Sequence, residues 1–300
     1  MRDGRSGSEW QALETVHARA HAHVQLASRK DIWDGIAASR FCVGEHDVQL
    51  PPLAVPAFGV SYGKPFRLER VLNGQRTSGS VTPGQLSILP PDADTRWIFD
   101  KTGDVALVYL SRSILDQAVE EVIDRDPRSV EIVPRFLIRD LVLERIAHGL
   151  LKEICQPRSQ SSLVAETLAQ DLVGHLLAAH SSSPARPLTR CHGMAPRRLR
   201  RVEEYMRANL AGPLSLQEMA SVAGMSLYHF ARGFREATGC PPHRYLMELR
   251  LCEARTLLHD PRLPIGEIAR TVGFTHSHVT AVFADRMGMT PRAFRDVLER

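Results

Sequence analysis

The sequence predicts an α+β fold class, with a strand-rich N-terminal domain closed by helices and an all-helical C-terminal domain. Three observations support this prediction. The 300 residues suffice for about two domains of ordinary size. Short apolar runs separated by turn signals occupy residues 40–110, whereas a helical pattern repeats in the last third of the chain. Residues 181–196, rich in Ser, Pro and Arg, are predicted to link domains at 1–180 and 197–300.

The composition narrows the class of protein. With 43% hydrophobic and 24% charged residues, the chain is typical of a soluble globular protein and unlike disordered or collagen-like chains. The first ten residues lack an apolar signal segment, and no run approaches the roughly 20 apolar residues of a membrane span. We therefore expect a cytoplasmic protein without a membrane partner. Its five cysteines form no CxxC pair, which argues against a disulfide framework.

The strand pattern of the N-terminal domain is typical of an antiparallel sandwich or barrel. Asn73-Gly74 is predicted to form a hairpin tip, and Pro83-Gly84 another turn. Apolar residues at helical spacing then predict helices over Ile114–Val122, Phe136–Cys155 and Leu163–His180. Their apolar stripe has two interpretations, a buried core face or a dimer surface.

The net charge of +4 is unevenly distributed. Residues 196–300 contain 16 Arg, no Lys and 11 Asp or Glu, which gives +5, whereas residues 1–195 carry 22 basic and 23 acidic residues, which gives −1. An excess made only of Arg suits phosphate and guanine recognition, although a merely solvated surface is the alternative.

An internal repeat is the strongest signal in the chain. Residues 214–246 align with 263–295 at a constant offset of 49 without a gap. The identical pairs are Leu214/Leu263, Glu218/Glu267, Ala220/Ala269, Gly224/Gly273, His229/His278, Phe234/Phe283, Gly239/Gly288 and Pro242/Pro291.

Each copy has the pattern of a helix-turn-helix, over residues 216–237 and 265–287. A glycine ends the first helix, and Ser226 or Thr275 is placed to N-cap the second. A helix from about Pro242 to His259 is predicted to join the two copies.

A helix held in this way can enter the DNA major groove with its exposed N-terminal half. The predicted contact positions are Leu227, Tyr228, Ala231, Arg232 and Arg235 in the first copy, and His276, Ser277 and Thr280 in the second. Arg232 is the best candidate for a bidentate guanine contact, with a phosphate contact or surface ion pair as alternatives. Arg250 and Arg295 are candidate phosphate partners.

At these residues the chain resembles the AraC/XylS family of bacterial transcription regulators. The resemblance covers about residues 197–298 and rests on AGMSLYHFARGFREATGCPPHRYL, LRLCEARTLL, IGEIARTVGF and FADRMGMTPRAFR. It implies a sequence-specific regulator of promoter DNA, an activator that contacts RNA polymerase, dimerises and responds to a small-molecule effector through a cupin-like N-terminal domain. The second copy departs from the family pattern, since it is one residue shorter after Phe274 and has Ala281 where an Arg is common.

Candidate effector-lining residues in the strand-rich domain are Phe58, Tyr62, Phe66, Arg67 and Trp97, any of which could instead be core.

We predict no metal or other cofactor. His21 and His23 lie in a segment with a helical pattern, and only His46 follows before residue 148. The sequence also lacks GxGxxG, GxSxG and P-loop motifs, so no enzymatic activity is expected. The alternatives to an effector-responsive transcription regulator are a cupin-type enzyme with a nucleic-acid module and a DNA-binding protein without an effector.

Overall fold

The structure is a computed structural model that describes residues 8–28, 33, 35–123, 126–156, 158–182 and 194–298. The chain divides into two compact units, residues 1–189 and 190–300. Most of the predicted linker at 181–196 lies outside the described residues. Ser181 and Ser182 still belong to the first unit, since Ser181 bridges to Ile132 and Ser182 donates its N–H to the Glu131 carbonyl.

The first unit is a sandwich of two antiparallel sheets. The six-stranded sheet has the order β1 (His23–Ala27), β2 (Ile36–Val43), β9 (Gly103–Leu110), β4 (Ala57–Tyr62), β7 (Gln85–Leu89) and β10 (Arg135–Arg139). The four-stranded sheet has the order β3 (His46–Leu50), β8 (Thr95–Phe99), β5 (Phe66–Leu72) and β6 (Gln75–Val81). Of the two architectures that the strand pattern allowed, the described strands form the open sandwich.

The two predicted turns lie at strand connections. Leu72 pairs with Gln75, so Asn73 and Gly74 alone connect β5 to β6. Both have positive φ, 48° and 81°, as a two-residue type I′ hairpin requires. Gly84 also has a positive φ of 82°, in the predicted turn before β7.

Helices close this unit, as the sequence predicts. They are α1 (Ser8–Arg19), α2 (Arg112–Ile123), a 3₁₀ turn at Pro127–Ser129, α3 (Leu141–Ile154) and α4 (Arg158–Ala179). Both α3 and α4 pack on β2, and they also pack on each other. Leu143, Leu150, Leu172 and Val173 of these helices are at most 1% exposed, so this apolar stripe is core.

Two predicted helices are wrong in part. Phe136–Cys155 is not one helix, because residues 135–139 pair with β7 as strand β10 and Asp140 then N-caps α3. The helical segment predicted around His21 and His23 ends at Arg19, and His23 begins β1. In both segments the apolar spacing of a helix extends into residues that form a strand. Their pairing with β2 and β7 is not visible in the local sequence.

The second unit is all-helical. Its helices are α5 (Pro196–Ala208), α6 (Leu216–Ala223), α7 (Leu227–Thr238), α8 (Pro242–Leu258), α9 (Ile265–Thr271), α10 (His276–Met287) and α11 (Pro291–Leu298). The pairs α6–α7 and α9–α10 are the two helix-turn-helix motifs, and α8 joins them. Their bounds agree with the predicted helices to within one residue. Among the helices that the structure describes, none combines the length and apolar character that a bilayer crossing requires.

Each motif is held by its own apolar core. In the first, the rings of Phe230, Phe234 and Tyr245 pack in sequence, first tilted and then edge-on, at 5.6 and 5.3 Å between centres. In the second, Phe283 is fully buried among residues of α8, α9 and α10. The joining helix therefore contributes side chains to both cores, which fixes each motif relative to α8.

Candidate nucleic-acid interface

The same local signals build both motifs. Gly224 and Gly273 have φ of 62° and 74°, the left-handed conformation that a glycine adopts without steric cost. Ser226 and Thr275 then N-cap α7 and α10, each hydroxyl accepting from the backbone N–H three residues later, at 3.5 and 3.2 Å. The internal repeat in the sequence is thus a repeat of turn and cap geometry.

Burial of two aromatic side chains sets the rotation of α7. Phe230 and Phe234 are 0% exposed, so the opposite face of the helix is turned away from the core. The predicted contact residues Leu227, Tyr228, Ala231 and Arg232 are partly exposed, and Arg235 is exposed. The structure therefore places all five where a ligand of the second unit could reach them.

Arg232 is paired within its own helix. Its Nε donates to the Glu236 carboxylate at 2.9 Å, and both side chains are about one-third exposed. An exposed i, i+4 pair of this kind contributes only a few tenths of a kcal/mol. The Glu236 pair is therefore a weak constraint on the position of the Arg232 side chain.

The second recognition helix offers a less charged surface. His276 and Ser277 are exposed, and Thr280 is partly exposed with its hydroxyl donating to the His276 carbonyl at 3.0 Å. Ala281, also exposed, adds no polar group. The exposed N-terminal half of α10 therefore carries no charged guanidinium.

The predicted phosphate contact at Arg250 is wrong. Arg250 is 4% exposed and donates from Nε to the Leu210 carbonyl at 3.1 Å and from Nη2 to the Gly212 carbonyl at 2.8 Å. Its guanidinium lies 5.7 Å from the centre of the Phe274 ring. Burial lowers the pKa of Arg250 to about 10, so it remains charged at neutral pH. Arg250 therefore connects the loop before the first motif with Phe274 of the second motif.

Arg295 has a similar internal contact. Its Nη2 donates to the Leu263 carbonyl at 2.7 Å, and its Nε is buried without a hydrogen-bond partner. Arg295 is still partly exposed, so its role as a phosphate partner stays a prediction. The internal contacts of both arginines could not be inferred from the sequence, because their carbonyl partners lie 32 to 40 residues away.

The histidine of the second motif, His278, is partly buried. The His278 ring lies edge-on to Phe274 at 4.9 Å, and its Nδ1 is buried without a hydrogen-bond partner. Burial, and then the charge of Arg250, lower the pKa of His278. A neutral His278 therefore belongs to the packing around Arg250.

A basic surface on α5 was not among the predicted contacts. Val202 and Met206 bury one face of this helix at 0% exposure. Five arginines are exposed on it, at positions 197, 198, 200, 201 and 207. The run RRLRR is the sequence signal that could have identified the first four of them as phosphate partners.

The first unit contains a cavity of about 90 Å³ between its two sheets. Of the predicted effector-lining residues, Phe66 and Trp97 line it. Phe58, Tyr62 and Arg67 do not, because successive strand residues point to opposite faces. Phe58 is buried on the other face of β4, Tyr62 lies under the Arg40 guanidinium at 4.7 Å, and Arg67 is exposed.

The described residues also contain one group of metal-ligating type, Asp140, His175 and His180. Asp140 Oδ2 lies 2.7 and 2.8 Å from the two Nε2 atoms, while Oδ1 accepts from two backbone N–H groups that begin α3. Burial would raise the pKa of Asp140, but the histidine and backbone hydrogen bonds outweigh it and lower the pKa to about 2. The carboxylate is fully used in joining α3 to α4.

Comparison with known proteins identifies the helical unit. Residues 219–296 match a family model described as a helix-turn-helix domain. The chain is 33% identical over 107 residues to the HTH-type transcriptional regulator GbdR of Pseudomonas aeruginosa, covering 35% of this chain and 29% of GbdR. It is 28% identical over 155 residues to the HTH-type transcriptional activator RhaR of Klebsiella pneumoniae, covering 51% of this chain and 52% of RhaR. The chain thus spans about half or less of these relatives.

A crystal structure of a Chromobacterium violaceum transcriptional regulator, described as containing an AraC-type DNA-binding domain, is 31% identical. It covers 34% of this chain and 92% of that one, with a TM-score of 0.33. The family match covers most of the two capped motifs and all of their joining helix. Residues 219–296 of the C-terminal unit therefore form a helix-turn-helix domain.

Proposed function

We propose that the chain is a sequence-specific DNA-binding transcription regulator. The observation that carries this proposal is the pair of capped helix-turn-helix motifs in one unit with a net charge of +5. The 17 residues of α8 give a rod of about 25 Å at about 1.5 Å per residue. This length suits two recognition helices in successive major-groove faces, which lie about 34 Å apart on one side of the duplex.

The partly exposed face of α7 supplies the main base contacts in this proposal. Arg232 reads a guanine after releasing Glu236, with Leu227, Tyr228, Ala231 and Arg235 beside it. On α10, His276, Ser277 and Thr280 contact the second half-site. The exposed arginines of α5 are suited to phosphate oxygens, which position a protein on DNA without reading sequence.

The first unit is proposed to sense an effector and to dimerise. Its internal cavity supports the effector role, since small-molecule sites are concave and mostly apolar. The name of RhaR as a transcriptional activator supports activation, and contact with RNA polymerase at a promoter is part of the same proposal. We place such a regulator in the cytoplasm, without an enzymatic activity of its own.

The test measures binding of the full chain to a duplex selected from a random pool and to an unselected duplex, by fluorescence anisotropy. The Arg232→Ala variant should weaken binding to the selected duplex by about 1–3 kcal/mol and relax the preference at one base position. Binding to the unselected duplex should change little. Arg262→Ala is the matched control, because Arg262 is 87% exposed and lies outside both recognition helices.

Equal losses on both duplexes would make Arg232 a phosphate contact. Failure of the full chain to select any sequence would contradict the proposed function itself.

A further inference from the structure

The cavity of the first unit has a mostly apolar lining that includes a few polar side chains. Most of its lining residues are apolar, and none of them carries a charged side chain. Four bear a hydroxyl or amide group: Ser61, Gln85, Ser87 and Tyr109. At about 90 Å³ the space exceeds the roughly 10–15 Å³ that one water molecule needs. A small organic molecule therefore fits between the sheets.

Two of the four polar groups are already satisfied by the protein. Gln85 accepts from the backbone and hydroxyl of Thr82 at 2.7 and 3.0 Å and donates to the Leu137 carbonyl at 3.2 Å. Ser87 accepts from the Leu137 N–H at 3.3 Å. These two side chains anchor β7 to β10 and have structural partners.

The other two are buried without a hydrogen-bond partner. Tyr109 is 1% exposed and Ser61 is 5% exposed, yet neither hydroxyl meets a donor or acceptor among the described residues. Buried polar groups in folded proteins are nearly always hydrogen-bonded, so an orphaned hydroxyl on a cavity wall indicates a missing partner. Both residues line the same cavity.

The strand register fixes where these hydroxyls stand. Ala57 pairs with Tyr109 and Ser61 pairs with Val105, so the two residues are four positions apart along neighbouring strands. At about 3.3 Å per residue, their Cα atoms are about 13 Å apart. The wall between them is apolar and includes Gly59, beside which the Leu107 side chain packs too closely for any larger residue. A ligand whose polar end lay at Tyr109 would have its body against this apolar wall.

We propose that this cavity binds an uncharged, mainly apolar small molecule whose hydroxyl or carbonyl oxygen accepts a hydrogen bond from Tyr109. This inference deepens the proposed function and rests on it, since such a molecule would be the effector. A carboxylate is disfavoured because no lining side chain would compensate its charge. The buried Arg70 packs against Trp97 but donates to the Arg135 carbonyl at 2.9 Å and is not a lining residue. Burial also raises the pKa of Tyr109, which keeps it a donor.

The experiment uses three para-substituted toluenes, p-cresol, p-xylene and p-toluate, with binding to the full chain measured by calorimetry in the absence of DNA. We expect p-cresol to bind about three- to tenfold more tightly than p-xylene, the effect of one hydrogen bond, and p-toluate to bind weakest. Tyr109→Phe should remove the preference for p-cresol while p-xylene still binds.

Tyr62→Phe is the matched control. Tyr62 OH is also buried without a hydrogen-bond partner, but it lies outside the cavity lining, so this variant should keep the preference for p-cresol. Both variants delete an orphaned hydroxyl, which favours normal folding.

Tightest binding by p-toluate, equal effects of the two Tyr variants, or no binding by either neutral probe would each overturn the inference. Selection of DNA sequences is measured separately on the ligand-free chain. Loss of ligand binding with intact DNA selection would reject only the cavity assignment, and the reverse result would reject only the regulator function.

Discussion

The guanidinium of Arg250 lies 5.7 Å from the centre of the Phe274 ring and joins the two helix-turn-helix motifs across the helix that separates them. Its hydrogen bonds reach the loop before α6, while Phe274 belongs to the turn between α9 and α10. The relative placement of the two recognition helices therefore depends on a buried charge that binds protein rather than DNA.

Removal of this charge should affect stability and leave phosphate contacts unchanged. We expect Arg250→Met to lower the free energy of unfolding by about 1.5–3 kcal/mol, the range for hydrogen bonds to a charged group. The slope of log K against log salt for DNA binding should stay constant. Urea unfolding and a salt titration check both points, with the exposed Arg255→Met on the same helix as control. A stable variant whose slope is smaller by about 0.9 would make Arg250 a phosphate contact after all.

Gly273 should tolerate substitution less well than Gly288. Both have positive φ, 74° and 71°, which costs an Ala residue about 1–2 kcal/mol. A Cβ at Gly273 would also lie 2.3 Å from the Leu210 carbonyl oxygen, whereas a Cβ at Gly288 would meet nothing within 4 Å. Gly273→Ala should therefore lose more free energy of unfolding than Gly288→Ala. Equal losses in urea titrations of the two variants would show that the turn and the Leu210 loop are not in close contact.

The helical unit should lose stability in mild acid because of His243. Burial, and then the charge of Arg244, lower the pKa of His243 from 6.5 to about 4. The unfolded chain therefore binds a proton at pH values where the folded chain does not. The contribution of neutral His243 is present above about pH 6.5 and is lost as the pH falls toward about 4, on the order of 2–3 kcal/mol.

Urea unfolding of residues 191–300 at pH 7, 6, 5 and 4.5 measures this dependence. His243→Gln should flatten most of it, while the exposed His259→Gln should not. A residual slope is expected from His278, whose pKa is also lowered. Identical pH profiles for wild type and His243→Gln would contradict the assignment.

The two recognition helices should differ in base stringency. Arg232 places a charged side chain on the partly exposed face of α7, whereas Thr280 and Ala281 place none on the exposed half of α10. Arg232→Ala should therefore reduce discrimination between bases more than Thr280→Ala does. A base-by-base scan of the selected duplex measures this difference. Equal stringency under both helices would reject the asymmetry.

The C-terminal domain was predictable because its signals are local. Each signal acts within about one helical turn: the glycine at the turn, Ser226 or Thr275 at the N-cap, and the apolar spacing. Their repetition at an offset of 49 distinguishes two helix-turn-helix motifs from an ordinary helical hairpin. The role of Arg250 was not predictable, since it depends on a loop 40 residues away.

The first unit was less predictable, because its strands are specified by partners that are distant in the sequence. Strand β10 is specified by its partner β7, and periodicity in residues 136–155 alone suggested a helix. The cavity wall depends on which alternate residues of β4 face inward, Gly59 and Ser61 rather than Phe58 and Tyr62. A one-residue change in register exchanges these faces, so large aromatic residues in the sequence were a poor guide to the lining.

The most direct test of the central claim is sequence selection from a random duplex pool by residues 191–300 compared with the full chain. This segment includes both motifs, the joining helix and the net positive charge. We expect it to fold alone and to recover the same base preference as the full chain with weaker affinity, since linked DNA-binding units gain effective concentration without new base contacts. Its affinity should fall steeply with salt. A folded segment that selects no sequence, while the full chain does, would contradict the assignment of DNA recognition to these two motifs.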